Sequence, residues 1–453
     1  MLSTELIQKY NVQGPRYTSY PTVPYWSKNP TPQEWIEHVQ SVFRQSNAEE
    51  GISLYIHLPY CESLCTFCAC NKRITINHAV EKPYIEALLK EWNLYLSLMD
   101  EKPIIKEIHL GGGTPTFFQP ENLHFLLSTI LNSSEKHEEA AYGFEAHPKN
   151  TSKEHLSTLY DLGFRRLSLG IQDFDPEVQR IINRVQPFEM VEEVVNNARA
   201  IGYESINFDL IYGLPKQNLA SVEMTIDLIN RLVPDRIAFY SYAHVPWIKG
   251  GGQRLFTEAD LPKDAEKRQL YETGKQMFEA AGYVEIGMDH FAKKEDDLSK
   301  AMVNGTLHRN FMGYTTFHTS MMIGLGASSI SDMWTAFAQN EKKVEDYIQK
   351  VTTGEIPFFR GHILTNEELV VRQLILDIMC QFETEFPDDF FHDWTKKRKA
   401  QLMELEEDGL IELKGNRLKV TEKGKAFVRN ICMIIDDLLW NDQPQTAIFS
   451  KTI

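Results

Sequence analysis

The sequence predicts an α/β protein: a partial β/α (TIM-like) barrel with an N-terminal arm and a smaller, mainly helical C-terminal domain. Three observations predict it. Strand-like and helix-like segments alternate between residues 53 and 242. Polar or glycine residues recur at the same end of each strand. A chain of 453 residues exceeds one ordinary domain of about 100 to 200, yet suits a barrel of about 250 with an appended unit. The expected units are an arm over the active site (1–50), the barrel (51–290), a barrel extension with substrate-site elements (291–363) and the C-terminal domain (364–453).

Six apolar, β-branched or aromatic runs read as strands: 53–60, 105–110, 142–146, 166–171, 205–211 and 236–242. Helical spacing fills the gaps, over 80–99, 123–131, 153–162, 190–201 and 221–232. Helix starts carry local signals: Thr151 with Glu154 reads as a capping box, and Asp175 precedes Pro176 at a first helical position. Such alternation implies parallel strands with helical crossovers, in a barrel or in an open doubly wound sheet. The residues following each strand favour the barrel: a cysteine loop, then Gly111-Gly112-Gly113-Thr114, Glu145, Gln172-Asp173, Asp209, and Tyr242 with His244. A β/α barrel assembles its active site at the C-terminal strand ends, so this placement reads as one shared site.

From about residue 281 the repeat weakens. Residues 283–291 read as one further strand, followed by an irregular stretch holding His308-Arg309-Asn310-Phe311. From Leu364 the pattern turns to helices and a hairpin at Gly415-Asn416. Helices with a small hairpin resemble a winged helix, but a DNA-binding role sits badly with acidic surroundings. The stretch Gly14-Pro15-Arg16-Tyr17-Thr18-Ser19-Tyr20-Pro21 has too many turn formers and aromatics for regular structure, and is expected as an ordered arm over the core.

Hydrophobic residues at 42% and charged residues at 24% supply a core and exclude global disorder. A net charge of −16 argues against nucleic acid or anionic lipid as a partner, since both need a positive field. Any anionic substrate must be held by local arginines. No apolar run of about 18 residues could span a bilayer, and the N-terminus lacks the apolar core of a secretion signal. A cytoplasmic monomer is the expectation. Of six cysteines, Cys61, Cys65, Cys68 and Cys70 fall close together, which suits a metal site in a reducing compartment better than a disulfide framework. Cys380 and Cys432 are expected as small buried residues in helices.

Cys61, Cys65 and Cys68 follow the first strand in a short loop, where three thiolates can converge on an iron–sulfur cubane. If only these three bind, one iron lacks a protein ligand, and an open position marks a catalytic centre rather than a closed structural one. A structural zinc site on all four cysteines is the alternative. Zinc knuckles pair two short spacings across an intervening loop, and no second Cys or His pair follows here.

This cysteine spacing resembles the signature of radical SAM enzymes, which split S-adenosylmethionine (SAM) and whose core is a partial or full β/α barrel. Longer motifs extend the likeness: Cys68-Ala69-Cys70-Asn71, the run 111–116, the run 169–174, the run 207–215, Gly287-Met288-Asp289-His290-Phe291, the run 308–314, the arm 14–21, the run 429–433 and Phe449-Ser450. Almost end to end, these resemble the oxygen-independent coproporphyrinogen III oxidases. The resemblance implies one [4Fe-4S] cluster on Cys61, Cys65 and Cys68, two SAM molecules, and a low-potential electron donor such as flavodoxin or ferredoxin. It implies oxidative decarboxylation of two propionates of coproporphyrinogen III to vinyl groups, through a 5′-deoxyadenosyl radical, giving protoporphyrinogen IX.

By the same resemblance, Tyr55 and Glu145 contact the first SAM, and Gly112, Gly113 and Thr114 lie against SAM. Gln172, Arg184, Asp209 and the backbone near Ala243 contact the second, with Phe67 and Ile330 as apolar walls. Glycines at 112 and 113 are expected to let a ligand approach the backbone. Cys70, beside the cluster, and His57 are the candidate catalytic residues. Arg16 and Arg309 are candidate contacts to substrate carboxylates, which suit arginine's fork. Two departures stand out: Ala69 where glycine is usual, and Gly250-Gly251-Gly252 in a variable-looking stretch. A heme-binding chaperone of the same superfamily, which typically lacks a counterpart of Cys70 and the arm, and a heme-opening methyltransferase are the rival readings.

Overall fold

The computed structural model describes residues 3–26, 29–245, 253, 256–442, 444 and 449–452. Twelve strands form one sheet: β1 (Ile52–Leu58), β2 (Ile104–Gly112), β3 (Glu135–Ala146), β4 (Phe164–Gln172), β5 (Ser205–Tyr212), β6 (Arg236–Ser241), β7 (Tyr283–Gly287), β8 (His290–Lys293), β9 (Met322–Leu325), β10 (Ile330–Asp332), β11 (Ala336–Asn340) and β12 (Phe358–Ile363). Their spatial order is β12-β11-β10-β9-β1-β2-β3-β4-β5-β6-β8-β7. The seven from β9 to β6 run parallel, and antiparallel strands extend both flanks. The two end strands do not pair with each other, so the sheet is an open, partial barrel.

Period-two alternation decides what faces where. Ile52, Leu54, Ile56 and Leu58 of β1 sit in the main apolar core under the helices, as do Phe144, Leu167, Leu169, Ile206, Phe208 and Ile237 of its neighbours. The intervening positions, among them Glu145, Ser168, Asn207, Asp209 and Tyr240, face the bore. Polar side chains are therefore gathered inside the curve.

Several elements depart from the sequence reading. β3 begins at Glu135, seven residues before the expected start at Tyr142, because Glu135 and Lys136 pair with Ile104 and Ile105 of β2. Pairing with a neighbour overrides the poor strand preference of charged residues there. The single strand expected over 283–291 is a hairpin, β7 and β8. The helix cap expected at Thr151 with Glu154 is instead Ser152, which accepts from His155 N–H, with the His155 ring reaching back. Asp175 does cap ahead of Pro176. The irregular stretch holds a ribbon, His308–Asn310 against Gly313–Thr315, and then β9 to β12.

Within the first 50 residues, Pro32–Ser46 is a helix capped by Thr31 and Glu34, and its Trp35, Val39 and Phe43 join the main core. The stretch before it behaves differently. Ile7, Tyr17 and Tyr20 belong to a second core with the C-terminal helices Asn366–Gln381, Lys396–Glu407 and Val428–Ile435. Arg429 donates to the carbonyls of Gly14, Pro15 and Lys451, and Gly14 N–H donates to Ser450 O at 3.1 Å. The arm and the C-terminal tail are thus stitched to one another. A three-stranded sheet completes this domain, turning at Gly415-Asn416, and Cys380 and Cys432 are buried in its helices. No described helix is long and apolar enough to cross a membrane.

Candidate active site

The cysteine loop leaves β1 through Pro59. Tyr60–Cys61 pairs in parallel with Arg73–Ile74, which closes the loop at its base. Within it, Cys68 N–H donates to Cys65 O at 3.2 Å, and Lys72 Nζ donates to the carbonyls of Cys68 at 3.0 Å and Cys70 at 3.3 Å. Asn183 Nδ2 holds Leu64 O at 2.8 Å from outside. Thr114 Oγ1 donates to Cys61 Sγ at 3.4 Å, and Arg184 Nη1 to Cys65 Sγ at 3.6 Å. Burial pushes the Cys61 thiol up to about 11, while a hydrogen bond with Cys70 draws Cys68 down and raises Cys70.

One cavity of about 150 Å³ gathers most of the expected site. The loop contributes Cys61, Cys65, Phe67, Cys68 and Cys70; β2 contributes Gly112, then Gly113 and Thr114 beyond its end; and Glu145, Gln172, Arg184 and Asp209 close the far wall. Tyr55 and His57 brace it from behind. Tyr55 O–H donates to His57 Nδ1 at 3.1 Å and His57 Nε2 meets Asn71 O at 2.9 Å. A carbonyl only accepts, so the ring proton sits on Nε2; burial holds this imidazole below its ordinary pKa, hence neutral. Tyr84 O–H in turn donates to His57 O at 2.9 Å and accepts from Ala327 N–H.

The glycines serve the protein's own packing before any ligand. Gly112 has φ +112°, and a β-carbon there would lie 2.6 Å from the His57 ring; one on Gly113 would lie 2.7 Å from Pro59 C. Gln172 also holds a left-handed φ of +68°, a strained backbone of the kind that collects at functional sites. Glu145 accepts from Gly112 N–H at 3.3 Å and meets His109 Nε2 at 3.5 Å. Burial acts to raise its pKa, but these bonds hold the carboxyl below the usual range.

Asp209 behaves oppositely: burial, and then the charge of Glu145, push it up to about 6, although Ser168 and Asn207 donate to it at 3.0 and 2.8 Å. Because the folded value exceeds the ordinary 3.8, the folded chain binds this proton more tightly than the unfolded chain. The stability this confers is complete below 3.8 and is lost as pH rises through about 6. Asp209→Asn is therefore expected to stabilise the ligand-free protein above about pH 7, by up to about 3 kcal/mol, and to give little gain near pH 4. Thermal scans across that range check it; an equal gain at both ends would sink the charge argument.

Four expected residues lie elsewhere. Ala243 O accepts from Gln253 Nε2 at 3.1 Å and borders a neighbouring cavity. Ile330 packs on the cluster of Trp26, Phe337 and Leu364. Arg16 is engaged, donating to Asp289 Oδ2 and Ser241 O, both at 3.1 Å. Arg309 is buried over the ring of Tyr314. The stretch Gly250 to Gly252 lies outside the described residues. Sequence reasoning missed Lys72, which its position two after Cys70 could have flagged. It also missed Gln253, which donates to Phe67 O at 2.8 Å and ties the loop to the end of β6 with no local signal.

The donor set fits an iron–sulfur cluster. Three thiols share one wall, and Arg184 and Lys72 stand by to offset thiolate charge. Among the described residues no three His, Cys, Asp or Glu side chains come together closely enough for a single metal ion, whereas a cubane spreads its irons over separate corners.

The radical SAM superfamily profile matches residues 55–229, and the HemN C-terminal domain profile matches 364–427. A curated relative from Synechocystis, named oxygen-independent coproporphyrinogen III oxidase, is 38% identical over 100% of this chain and 98% of its own. Its namesake from Escherichia coli is 37% identical, covering 99% and 98%. The chain belongs to the oxygen-independent coproporphyrinogen III oxidase family. The solved Escherichia coli coproporphyrinogen III oxidase, described as a radical SAM enzyme, superimposes with a TM-score of 0.89 over 96% of this chain and 99% of that one, at 35% identity. Oxidase relatives thus span the arm, the barrel and the C-terminal domain, and the radical SAM core brings with it a [4Fe-4S] cluster and SAM.

Proposed function

We propose that this chain oxidatively decarboxylates two propionates of coproporphyrinogen III to vinyl groups, giving protoporphyrinogen IX without oxygen. The observation that carries the reading is the three-thiol loop facing a cavity walled by strand-end residues, inside a chain that matches its oxidase relatives end to end. Cys61, Cys65 and Cys68 would hold the cluster and leave one iron for SAM. When bound, cluster and SAM supply the 5′-deoxyadenosyl radical that takes a hydrogen atom from a propionate β-carbon. Carbon dioxide then leaves, and the remaining electron passes to a one-electron acceptor.

The chain's own groups place and protect that chemistry. Glu145, kept ionised by His109 and Gly112 N–H, suits the ammonium of the first SAM, with Tyr55 behind it. Gln172, Arg184, Asp209 and the backbone at Ala243 are assigned to a second SAM; Asp209, raised to about 6, can exchange a proton near neutrality. Neutral His57 holds Asn71 O and so fixes the loop segment carrying Cys70, whose thiol bonds to Cys68. Electrons come from a low-potential donor of the flavodoxin or ferredoxin kind. The test is an anaerobic assay of reconstituted protein with reductant, SAM and coproporphyrinogen III. Formation of 5′-deoxyadenosine with a vinyl product is expected. Tight heme binding with the porphyrinogen untouched would transfer the reading to a heme chaperone.

A further inference from the structure

Among the described residues, the buried and half-buried arginines of the interior find acceptors, and Arg309 stands apart. Arg372 forks onto Asp332 at 3.2 and 2.6 Å, Arg236 meets Asp296 at 2.8 Å, and Arg166 meets Glu107 at 3.1 Å. Arg398 bonds Asp437 and Ile434 O, and Arg429 bonds three carbonyls. Arg309, 6% exposed, donates no hydrogen bond to any described residue, and its Nε and Nη1 are sealed from solvent without a partner. Its one close neighbour of note is the Tyr314 ring, 4.6 Å from the guanidinium carbon. Stacking does not replace the acceptors a buried guanidinium loses on leaving water.

His290 repeats the pattern on the same tyrosine. Its ring stands edge-on to Tyr314 at 5.2 Å, its Nε2 lies 3.4 Å from Tyr240 O–H, and its buried Nδ1 has no partner. Burial, with Arg309, Arg236 and Arg16 nearby, brings His290 down to about 3, so the imidazole is neutral. With Nε2 accepting from Tyr240, the ring proton falls on Nδ1, which makes it a second kind of donor lacking an acceptor. His290, Tyr240 and Tyr314 wall a cavity of about 140 Å³, large enough for a propionate arm and too small for a tetrapyrrole. That cavity shares Glu145 and Asp209 with the one at the cysteine loop, so it lies across this wall from the thiols.

We propose that Arg309 and His290 form a carboxylate subsite that takes a propionate the reaction leaves intact. The proposal rests on the substrate reading above. Arg309 is the cross-strand partner of Tyr314, which walls that cavity between Met312 and Thr315, so a propionate arm drawn in there would bring an acceptor to donors that lack one, and an Arg–carboxylate pair is a strong, charge-assisted one. Pairing also resists decarboxylation, because a carboxylate must give up its charge to leave as carbon dioxide. The reacting arms belong on the thiol side.

The test uses anaerobic, cluster-loaded full chain. Arg309→Met is expected to raise the KM for coproporphyrinogen III about tenfold or more, with 5′-deoxyadenosine release at saturation within a few-fold of wild type. Arg309→Lys, which keeps the charge without the fork, should fall between, and His290→Phe, which keeps the ring and removes the Nδ1 donor, should raise KM in the same direction. The ligand-free Tm of Arg309→Met should not fall, because an unpaired buried charge has been removed; a structural arginine would lower Tm and leave KM alone. An unchanged KM in a cluster-loaded Arg309→Met or Arg309→Lys overturns the subsite while the oxidase reading stands. A wild type that leaves coproporphyrinogen III unconverted overturns both.

Discussion

Cys61→Ala is expected to abolish 5′-deoxyadenosine and vinyl product together, bringing both to background, while the fold survives. Cys61 sits on the two-residue strand paired with Arg73–Ile74, and alanine keeps that backbone pairing. Its thiol makes one described hydrogen bond, accepting from Thr114 Oγ1 at 3.4 Å, so little packing is lost and the stability change stays near 1 kcal/mol. Losing one of three thiolates removes a corner of the cluster site, and a site with two cannot hold a cubane with a single open iron. Iron content after anaerobic reconstitution, product analysis and Tm are the measurements. Cys70→Ala makes the contrast: Cys70 is a hydrogen-bond neighbour of Cys68 in this reading, so iron should be retained. Full iron and activity in Cys61→Ala would remove the basis of the cluster assignment.

What the sequence made legible is what local pattern controls. The parallel strands could be read because alternation put Ile, Leu and Phe under the helices and polar residues in the bore, and the shared site followed from strand polarity. Residues whose place depends on distant pairing were not legible. Charged Glu135 and Lys136 become strand only because Ile104 and Ile105 lie alongside. β9 to β12 are three to six residues each, too short to show a period, yet they build the flank beside β1. The cap at Thr151 lost to its neighbour Ser152, a one-residue choice that local rules do not resolve.

The same division runs through the site. Its cysteines, glycines and strand-end acids are short motifs, and they meet in one cavity. Arg16 and Arg309 looked equivalent as sequence. Asp289 and Ser241 O engage the first, while Nε and Nη1 of the second meet no acceptor among the described residues, a difference set by residues more than 200 positions apart in the case of Arg16. Satisfaction of a buried donor is a property of the fold, so motif matching alone could not rank the two.

Gly112→Ala is expected to lower product formation by more than tenfold and stability by about 2–4 kcal/mol, adding the strain of a left-handed non-glycine residue to an overpacked contact. The glycine has φ +112°, and its missing β-carbon is the space that the His57 ring fills. That ring cannot step aside cheaply. It is held between Tyr55 O–H at 3.1 Å and Asn71 O at 2.9 Å, and its own carbonyl is held by Tyr84. Displacing it releases Asn71, the residue after Cys70, and tilts Gly112 N–H away from Glu145. Glu145 and the segment beside Cys70 are therefore disturbed by one methyl group whose first contact is the His57 ring. Gly112→Ala combined with His57→Ala discriminates the causes. If the clash dominates, the double variant is more stable than the sum of the single effects, with only the φ strain remaining. Strict additivity in Tm would show that His57 is not what the glycine accommodates.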